Sequence, residues 1–505
     1  MEGNPLDRRA FLGLVGGVVG AGATGAGTGE AIAALLRTGG PRRPPGPPVP
    51  RTLAQAMRGP VMTPRTRGFA NASHVYNERF DWVRPSAVAF PLDALDVRGA
   101  VRWAVAHGVR LVARSGGHSY AGYSTVPGGV VLDLSFMRGL SVDRRQGTAT
   151  IGAGAQLIDM YVGLAHRGAT VPGGSCPSVG IAGVTLGGGM GLAARRFGLT
   201  SDNLVSAQIV TADGRVRTVD RRTDRDLLWA LRGGGGGNFG VVTQFTFSVH
   251  PLPRSAAWFF LQWPWSSASD ALEAWLEWAP HARDELTSIF HLEAGGGTPA
   301  VKVTGQYLGP SSDLARLLAP ITSVAGASAS TGDQAYAPLQ MRWAGCLHES
   351  VASCHTEGTR AGGKLERGSF RAKSDYLARA LSGRGRATLL TAIEARQRQP
   401  GSAAILFDSY GGAINRVAPG ATAFVHRNTL CAMQYLTYGG GAAWLRATHA
   451  SMRPFVSGQA YQNYIDAELS NWQRAYYGSN YSRLVAVQRR VDPQRHFRFP
   501  QAIGV

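Results

Sequence analysis

The chain has 505 residues, a formal net charge of +20 and four cysteines. That length allows two or three domains around a sizeable core, and so few cysteines exclude a disulfide scaffold. Nearly all the basic residues are arginine, lysine being confined to Lys302, Lys364 and Lys373, and they are scattered rather than gathered along one helix or groove, which argues against nucleic acid as a partner. In chain order the first feature is "DRRAFLGLVGGVVGAGATGAG", where Arg8 and Arg9 precede Phe11, Leu12 and an apolar run rich in Gly and Ala. This is the layout of a twin-arginine export signal, and its glycines dilute the run too far for a stable membrane span. "PRRPPGPPVP" (Pro41 to Pro50) reads as a stiff polyproline linker, so a signal region over 1–40 and a linker over 41–59 precede the folded sequence.

From residue 60 to 250 short β-branched runs alternate with Gly-rich turns: "GVRLVARSGGHS", "GGVVLDLS", "GTATIGAGA", "SAQIVTADGRVRTV" and "NFGVVTQFTFSV". "DALDVRGAVRWAVAHG" has helical spacing, making the segment α+β. Between 251 and 450 helical stretches such as "SDALEAWLEWAP" alternate with strand-like "AILFDSYGGAI" and "TLCAMQYLTY", which points to a second domain. From 451 to 505 the chain is dense in tyrosine and ends in a helix stopped by Pro493.

Two Gly-rich stretches invite a nucleotide reading. "GGGGGNFGVV" contains G-x-G-x-x-G at Gly235, Gly237 and Gly240, but it opens a strand rather than a helix, so it is not a Rossmann fingerprint. "GVTLGGGMGLAARRFG" lacks the Lys-Ser/Thr ending of a phosphate loop. What remains is a set of glycines that let backbone amides approach an anionic group such as a pyrophosphate. His118 in "RSGGHS" and Cys176 in "PGGSCPSVGIAGVTLGGG" both sit in turn chemistry that core packing does not account for.

Together, "RSGGHSYAGYS", "PGGSCPSVGIAGVTLGGGMGLAARRFGLTSDNL", "GGGGGNFGVVT", "YQNYID" and "YYGSNYSRLVAVQRRVDPQRHFRFPQAI" run in order from about residue 70 to the end. In them the chain resembles the berberine-bridge-enzyme-like oxidases of the vanillyl-alcohol-oxidase superfamily. The resemblance implies an α+β fold: a PCMH-type FAD-binding domain from both chain ends (60–250 and 451–505), and a central substrate domain (251–450) with an antiparallel sheet backed by helices. It implies FAD attached twice, through His118 to the 8α-carbon and through Cys176 to C6 of the isoalloxazine. Arg114, Ser115, Gly116, Gly117 and Ser119 form the main cradle, with Gly180, Gly183, Gly187, Val242, Tyr477 and Asn480 as further cofactor contacts. Val179, three residues after the attached cysteine, implies access for dioxygen and therefore an oxidase releasing hydrogen peroxide.

For alcohol oxidation the flavin needs a base opposite its ring. "YQNYID" supplies Tyr461 and Tyr464; read as an extended segment, the two point to opposite faces, and the resemblance selects Tyr464. A tyrosine base needs its pKa lowered, and Gln434 in "FVHRNTLCAMQY" resembles the supporting glutamine, with His426 and Asn428 placed on its face by strand alternation. Tyr376 in "RAKSDY" resembles a second active-site tyrosine, with Lys373 nearby. The substrate is then a small-molecule alcohol, a sugar, glycoside or natural-product hydroxyl, and the protein a monomer or homodimer. Two other readings stay open: a flavoenzyme forming C–C or C=C bonds, for which Asp466 offers a carboxylate base, and a flavin carrier without turnover. "CLHESVASCH" suits a Cys346–Cys354 disulfide better than a zinc site, leaving Cys431 as a thiol in a buried strand.

Overall fold

A computed structural model describes residues 49–505, so the twin-arginine segment and the first part of the proline-rich stretch lie outside the described residues. Packed structure begins before residue 60: the chain is helical over Val49–Ala56, and Leu53 and Met57 are buried in the main core. Those two apolar residues shorten the linker that the prolines suggested.

The first half builds two sheets. Strands β1 (Val61–Met62), β2 (Ala87–Ala89), β3 (Leu111–Arg114) and β4 (Val130–Asp133) form one, in the order β1-β2-β4-β3, with β4 parallel to both neighbours. The crossover between β2 and β3 is the expected helix, Ala94–His107. Asp93 caps its start by accepting from the Leu95 and Asp96 amides, and Gly108, at φ 63°, ends it in the left-handed conformation. Next come β5 (Leu140–Asp143), β6 (Thr148–Gly152), β7 (Ala169–Thr170), β8 (Leu204–Val210), β9 (Val216–Asp220) and β10 (Val241–Ser248). All but β7 join an antiparallel sheet in the order β5-β6-β10-β8-β9. β7 pairs instead with β11 (His250–Pro251). The core between these sheets and their helices is completed from the far end of the chain: Trp472, Tyr476, Leu484, Val487 and Ile503 pack with Leu53, Val97, Ile151 and Phe245. Each such side chain contributes roughly 1.5–3 kcal/mol relative to exposure, so the tail is integral to this half.

The middle of the chain folds as seven antiparallel strands: β12 (Ala257–Trp263), β13 (Leu286–Ala294), β14 (Ala300–Tyr307), β15 (Ser328–Asp333), β16 (Phe370–Leu377), β17 (Ser402–Ser409) and β18 (Cys431–Tyr438). Their order is β15-β12-β14-β13-β17-β18-β16. Period-two alternation divides the sheet cleanly. Phe290, Phe407 and Tyr435 point to helices Ala268–Trp278, Gly383–Gln397 and Ala442–Met452, where they meet Trp275, Leu389 and Leu445. Ile289, Asp408, Gln434 and Leu436 point the other way, toward the first half of the chain. Cys346 and Cys354 are disulfide-bonded, and Cys431 is a free thiol buried in β18.

Candidate active site

Between this second sheet face and the glycine loops of the first half lies a cavity of about 340 Å³, within the range of ligand sites. Its loop wall is made by "RSGGHS" and "PGGSCPSVG", which touch backbone to backbone. A Cβ added at Gly116 would overlap Gly180 and the Ser178 carbonyl, and one added at Gly180 would overlap Gly116 and Ser115, so only glycine allows this approach. Gly117 turns the first loop at φ 72°. The second is fixed by bonds from the Leu157 amide to the Val179 carbonyl (2.9 Å) and from the Ile181 amide to the Ala155 carbonyl (2.9 Å).

These loops bring His118 and Cys176, 58 residues apart in sequence, to the same cavity. The His118 ring stacks on Tyr76 at 4.0 Å between centroids and 19° between planes. Desolvation in the enclosed site pushes its pKa down to about 3, so the imidazole is neutral, the nucleophilic form. Burial also raises the Cys176 thiol, partly offset by hydrogen bonding to Ser178. Ser178 Oγ lies 2.9 Å from His118 Nε2 and 3.9 Å from Cys176 Sγ. Ser115, Ser119, Val179, Gly183, Val242 and Tyr477 also line the cavity.

Tyr461 and Tyr464 do not point to opposite faces. Residues Gln462–Tyr464 form a 3-10 turn, in which positions three apart come to the same side, and both tyrosines line the cavity with rings 4.9 Å apart. They differ in their hydroxyls. That of Tyr461 accepts from the Gly189 amide (2.9 Å), the Met190 amide (3.3 Å) and Asn463 Nδ2 (2.9 Å), so it ties down the glycine loop. That of Tyr464 faces the carboxylate of Asp408 on β17. Asp408 is buried, and desolvation raises its pKa to about 7, with the Tyr464 hydroxyl pulling it back down. Its Oδ2 has no hydrogen-bond partner among the described residues. Tyr464 itself is pushed well above the usual phenol range, first by burial and then by the Asp408 charge, so it is a neutral phenol rather than a tyrosinate. Gln434 Nε2 donates to the Tyr120 hydroxyl (2.8 Å), and Tyr120 stacks on Tyr464 (5.5 Å, 11°), so the glutamine reaches Tyr464 through an intervening ring.

Several expected contacts lie elsewhere. Arg114 turns away from the cavity into a buried ion pair with Asp133 (2.6 Å) and donates to the His74 carbonyl (3.1 Å), bracing the loop from behind. At Gly187 an added Cβ would strike Gln462 and Asn463, so this glycine makes room for the tyrosine turn. Asn480 Nδ2 donates to the Pro419 (2.8 Å) and Thr422 (3.1 Å) carbonyls, shaping a loop. Tyr376 is fully buried behind Tyr461, 3.1 Å from the Tyr410 hydroxyl and stacked on His426. His426 and Asn428 precede β18, so strand alternation does not govern them; His426 is buried and Asn428 exposed. Asp466 is paired with Lys373 (2.7 Å), which also meets Glu468 (3.0 Å). The carboxylate at the cavity is Asp408, which the strand-like reading of "AILFDSYGGAI" did not single out.

The residues present suit an FAD. Thr287 Oγ1, Asp408 Oδ2, Gln462 Nε2 and Gln501 Oε1 are buried polar atoms of cavity-lining residues without a partner among the described residues, where a folded core would pair them. A Cβ added at Gly183, on the cavity wall, meets no atom within 4 Å, so the surface there is open to a flat polar ligand. A neutral imidazole and a thiol complete a donor set able to bond carbon.

Known proteins agree with this geometry. Residues 85–220 match a family described as an FAD binding domain, and residues 460–504 match one described as berberine and berberine like. An uncharacterized FAD-linked oxidoreductase, YgaK, of Bacillus subtilis is 34% identical over 430 residues, covering 83% of this chain and 91% of that protein. Among solved structures, the BBE-like 1 protein of Physcomitrella patens superposes with a TM-score of 0.82 at 32% identity, over 90% of this chain and 99% of that one. A glucooligosaccharide oxidase from Acremonium strictum, described with a 6-S-cysteinyl, 8α-N1-histidyl FAD, superposes with a TM-score of 0.81 at 26% identity, over 90% and 98%. Fold and site together define an FAD-linked oxidoreductase of the PCMH-type superfamily. The chain belongs to its berberine-bridge-enzyme-like family.

Proposed function

We propose that the protein oxidises an alcohol, a sugar, glycoside or natural-product hydroxyl, with FAD held by two covalent bonds through His118 and Cys176 and with dioxygen reduced to hydrogen peroxide. The observation that carries this reading is the Tyr464 hydroxyl facing Asp408 on the wall of the cavity that holds both tethering side chains. Bound there, the isoalloxazine would supply a hydride acceptor at N5 and, once reduced, electrons for dioxygen.

The chain's own residues manage the proton. Tyr464 is neutral, so it takes the alcohol proton as it releases its own to Asp408, which is part ionised near neutrality. Gln434 and Tyr120 hold the ring of Tyr464 in place. Val179 presents a small apolar side chain to the cavity, which suits passage of dioxygen. The FAD half comprises the chain from the Val49–Ala56 helix to 250 together with 451–505, and the sheet of 251–450 presents the substrate-facing residues, as the two separate cores favour. The Cys346–Cys354 disulfide favours export, as does the Arg8-Arg9 segment. Peroxide release on a panel of oligosaccharides, glycosides and aromatic alcohols tests the reading; a yellow protein that reduces no dioxygen with any of them overturns it.

One observation favours a second reading. A carboxylate of raised pKa stands at the cavity without needing Tyr464, which suits C–C or C=C bond formation at an activated carbon. Turnover that survives Tyr464→Phe but not Asp408→Asn selects it.

A further inference from the structure

Ser178 occupies a place that neither its sequence position nor the tethers themselves explain. It is fully buried, two residues after Cys176, and its hydroxyl stands between the two tethering side chains, 2.9 Å from His118 Nε2 and 3.9 Å from Cys176 Sγ. A serine hydroxyl accepts and donates at once, so one group can serve both. Nδ1 of His118 has no hydrogen bond among the described residues, and the ring borders the cavity with its plane fixed by Tyr76.

We propose, resting on the doubly tethered reading above, that Ser178 is the positioning residue for attachment of the flavin: it accepts from His118 Nε2–H and donates to Cys176 Sγ. The first bond holds the imidazole in the tautomer whose lone pair is on Nδ1, and aims that atom at the cavity. The second favours the thiolate over the thiol. Attachment at histidine replaces one C8α–H bond by C8α–Nδ1, and the proton on Nε2 is released afterwards. Two protons leave and two electrons enter the ring. Attachment at cysteine replaces C6–H and S–H by C6–S with the same balance. In each case dioxygen takes the two electrons and two protons as hydrogen peroxide. Removing the hydroxyl frees the imidazole to adopt the other tautomer, with Nδ1 protonated and unreactive, and removes the donor that favours the thiolate.

The test compares wild type, Ser178→Ala, Ser178→Thr and His118→Ala, each saturated with FAD, denatured and digested. The mass of the His118 and Cys176 peptides reports each bond separately. The expected result is at least tenfold slower attachment at His118 in Ser178→Ala, with a native absorption spectrum shifted toward that of His118→Ala, and restoration by Ser178→Thr, which keeps the hydroxyl. Binding of FAD by the native Ser178→Ala protein excludes a folding defect. Attachment at His118 in Ser178→Ala as fast as in wild type overturns the proposal. A second measurement needs no variant: the wild-type flavin peptide is expected to be linked through Nδ1, and an Nε2 link by proton NMR overturns the proposal even if Ser178→Ala fails to fold. Wild-type protein that loses all flavin on denaturation refutes the doubly tethered reading itself.

Discussion

The Tyr464 hydroxyl faces the Asp408 carboxylate, and the second oxygen of that carboxylate has no partner among the described residues. The pair joins the Gln462–Tyr464 turn to a central strand, so the proposed proton path would need both halves in place. Asp408→Asn keeps the shape and removes the proton acceptor. Turnover is expected to fall by about 10²–10⁴, the usual contribution of a positioned base. In wild type, kcat/KM is expected to rise with pH through about 7, where Asp408 ionises, and this limb is expected to vanish in the variant. Initial rates of peroxide release across pH 5–9 (~5–9, spanning that ionisation) check both.

The same carboxylate affects stability with a defined sign. Its folded pKa of about 7 is raised above the 3.8 of a free aspartate, so the folded state holds the proton more tightly than the unfolded one. Its favourable contribution is fully present below the unfolded value and is lost as pH rises through about 7. Asp408→Asn is therefore expected to gain Tm relative to wild type as pH is raised from about 4 to about 8, and to match it more closely in acid. Calorimetry of the two proteins decides this.

Tyr464→Phe and Tyr461→Phe are expected to separate. The first loses the proton relay, and turnover falls by about 10²-fold or more while the flavin remains attached. The second strips two hydrogen bonds from the glycine loop and one from Asn463, and its effect is expected in thermal stability and FAD loading, at about 1–3 kcal/mol for the buried donors left unpaired. Absorbance of denatured protein together with steady-state rates distinguishes them.

Much of this architecture was legible beforehand. The helix over Ala94–His107 was marked by its apolar spacing, β8 and β9 fall within the β-branched "SAQIVTADGRVRTV", and the glycines around His118 and Cys176 marked a close backbone approach. What escaped has physical causes. Asp408 lies on a strand that is buried on both faces, where alternation no longer separates polar from apolar positions. Tyr120 and Ser178 sit within the conspicuous motifs but act through contacts across 314 and 60 residues, which spacing cannot reveal. The turn at Gln462–Tyr464 reversed an inference that was sound only for an extended chain. Arg114 and Asn480 are polar residues next to the right loops whose groups are used to hold backbone.

Gly116→Ala tests the contact between the loops. Its new methyl would overlap the backbone of Gly180 and Ser178, neither of which can rotate aside as a side chain does. The expected cost is about 1–3 kcal/mol or more, with loss of yellow colour in the purified protein. Cofactor content per chain measures it.

Reducing the disulfide, or replacing Cys346 and Cys354 by serine, is expected to lower stability by about 2–3 kcal/mol for so short a loop without changing the absorption spectrum. Denaturant unfolding with and without reductant provides the comparison.

A core shared by Leu53 and Ile503 also governs how the molecule is made. Leu484, Val487 and Ile503 are synthesised after most of this core, so the space they occupy is solvent until they arrive. A premature stop in the final helix therefore yields no dim, half-working enzyme but a polypeptide with its greasy interior open to proteases.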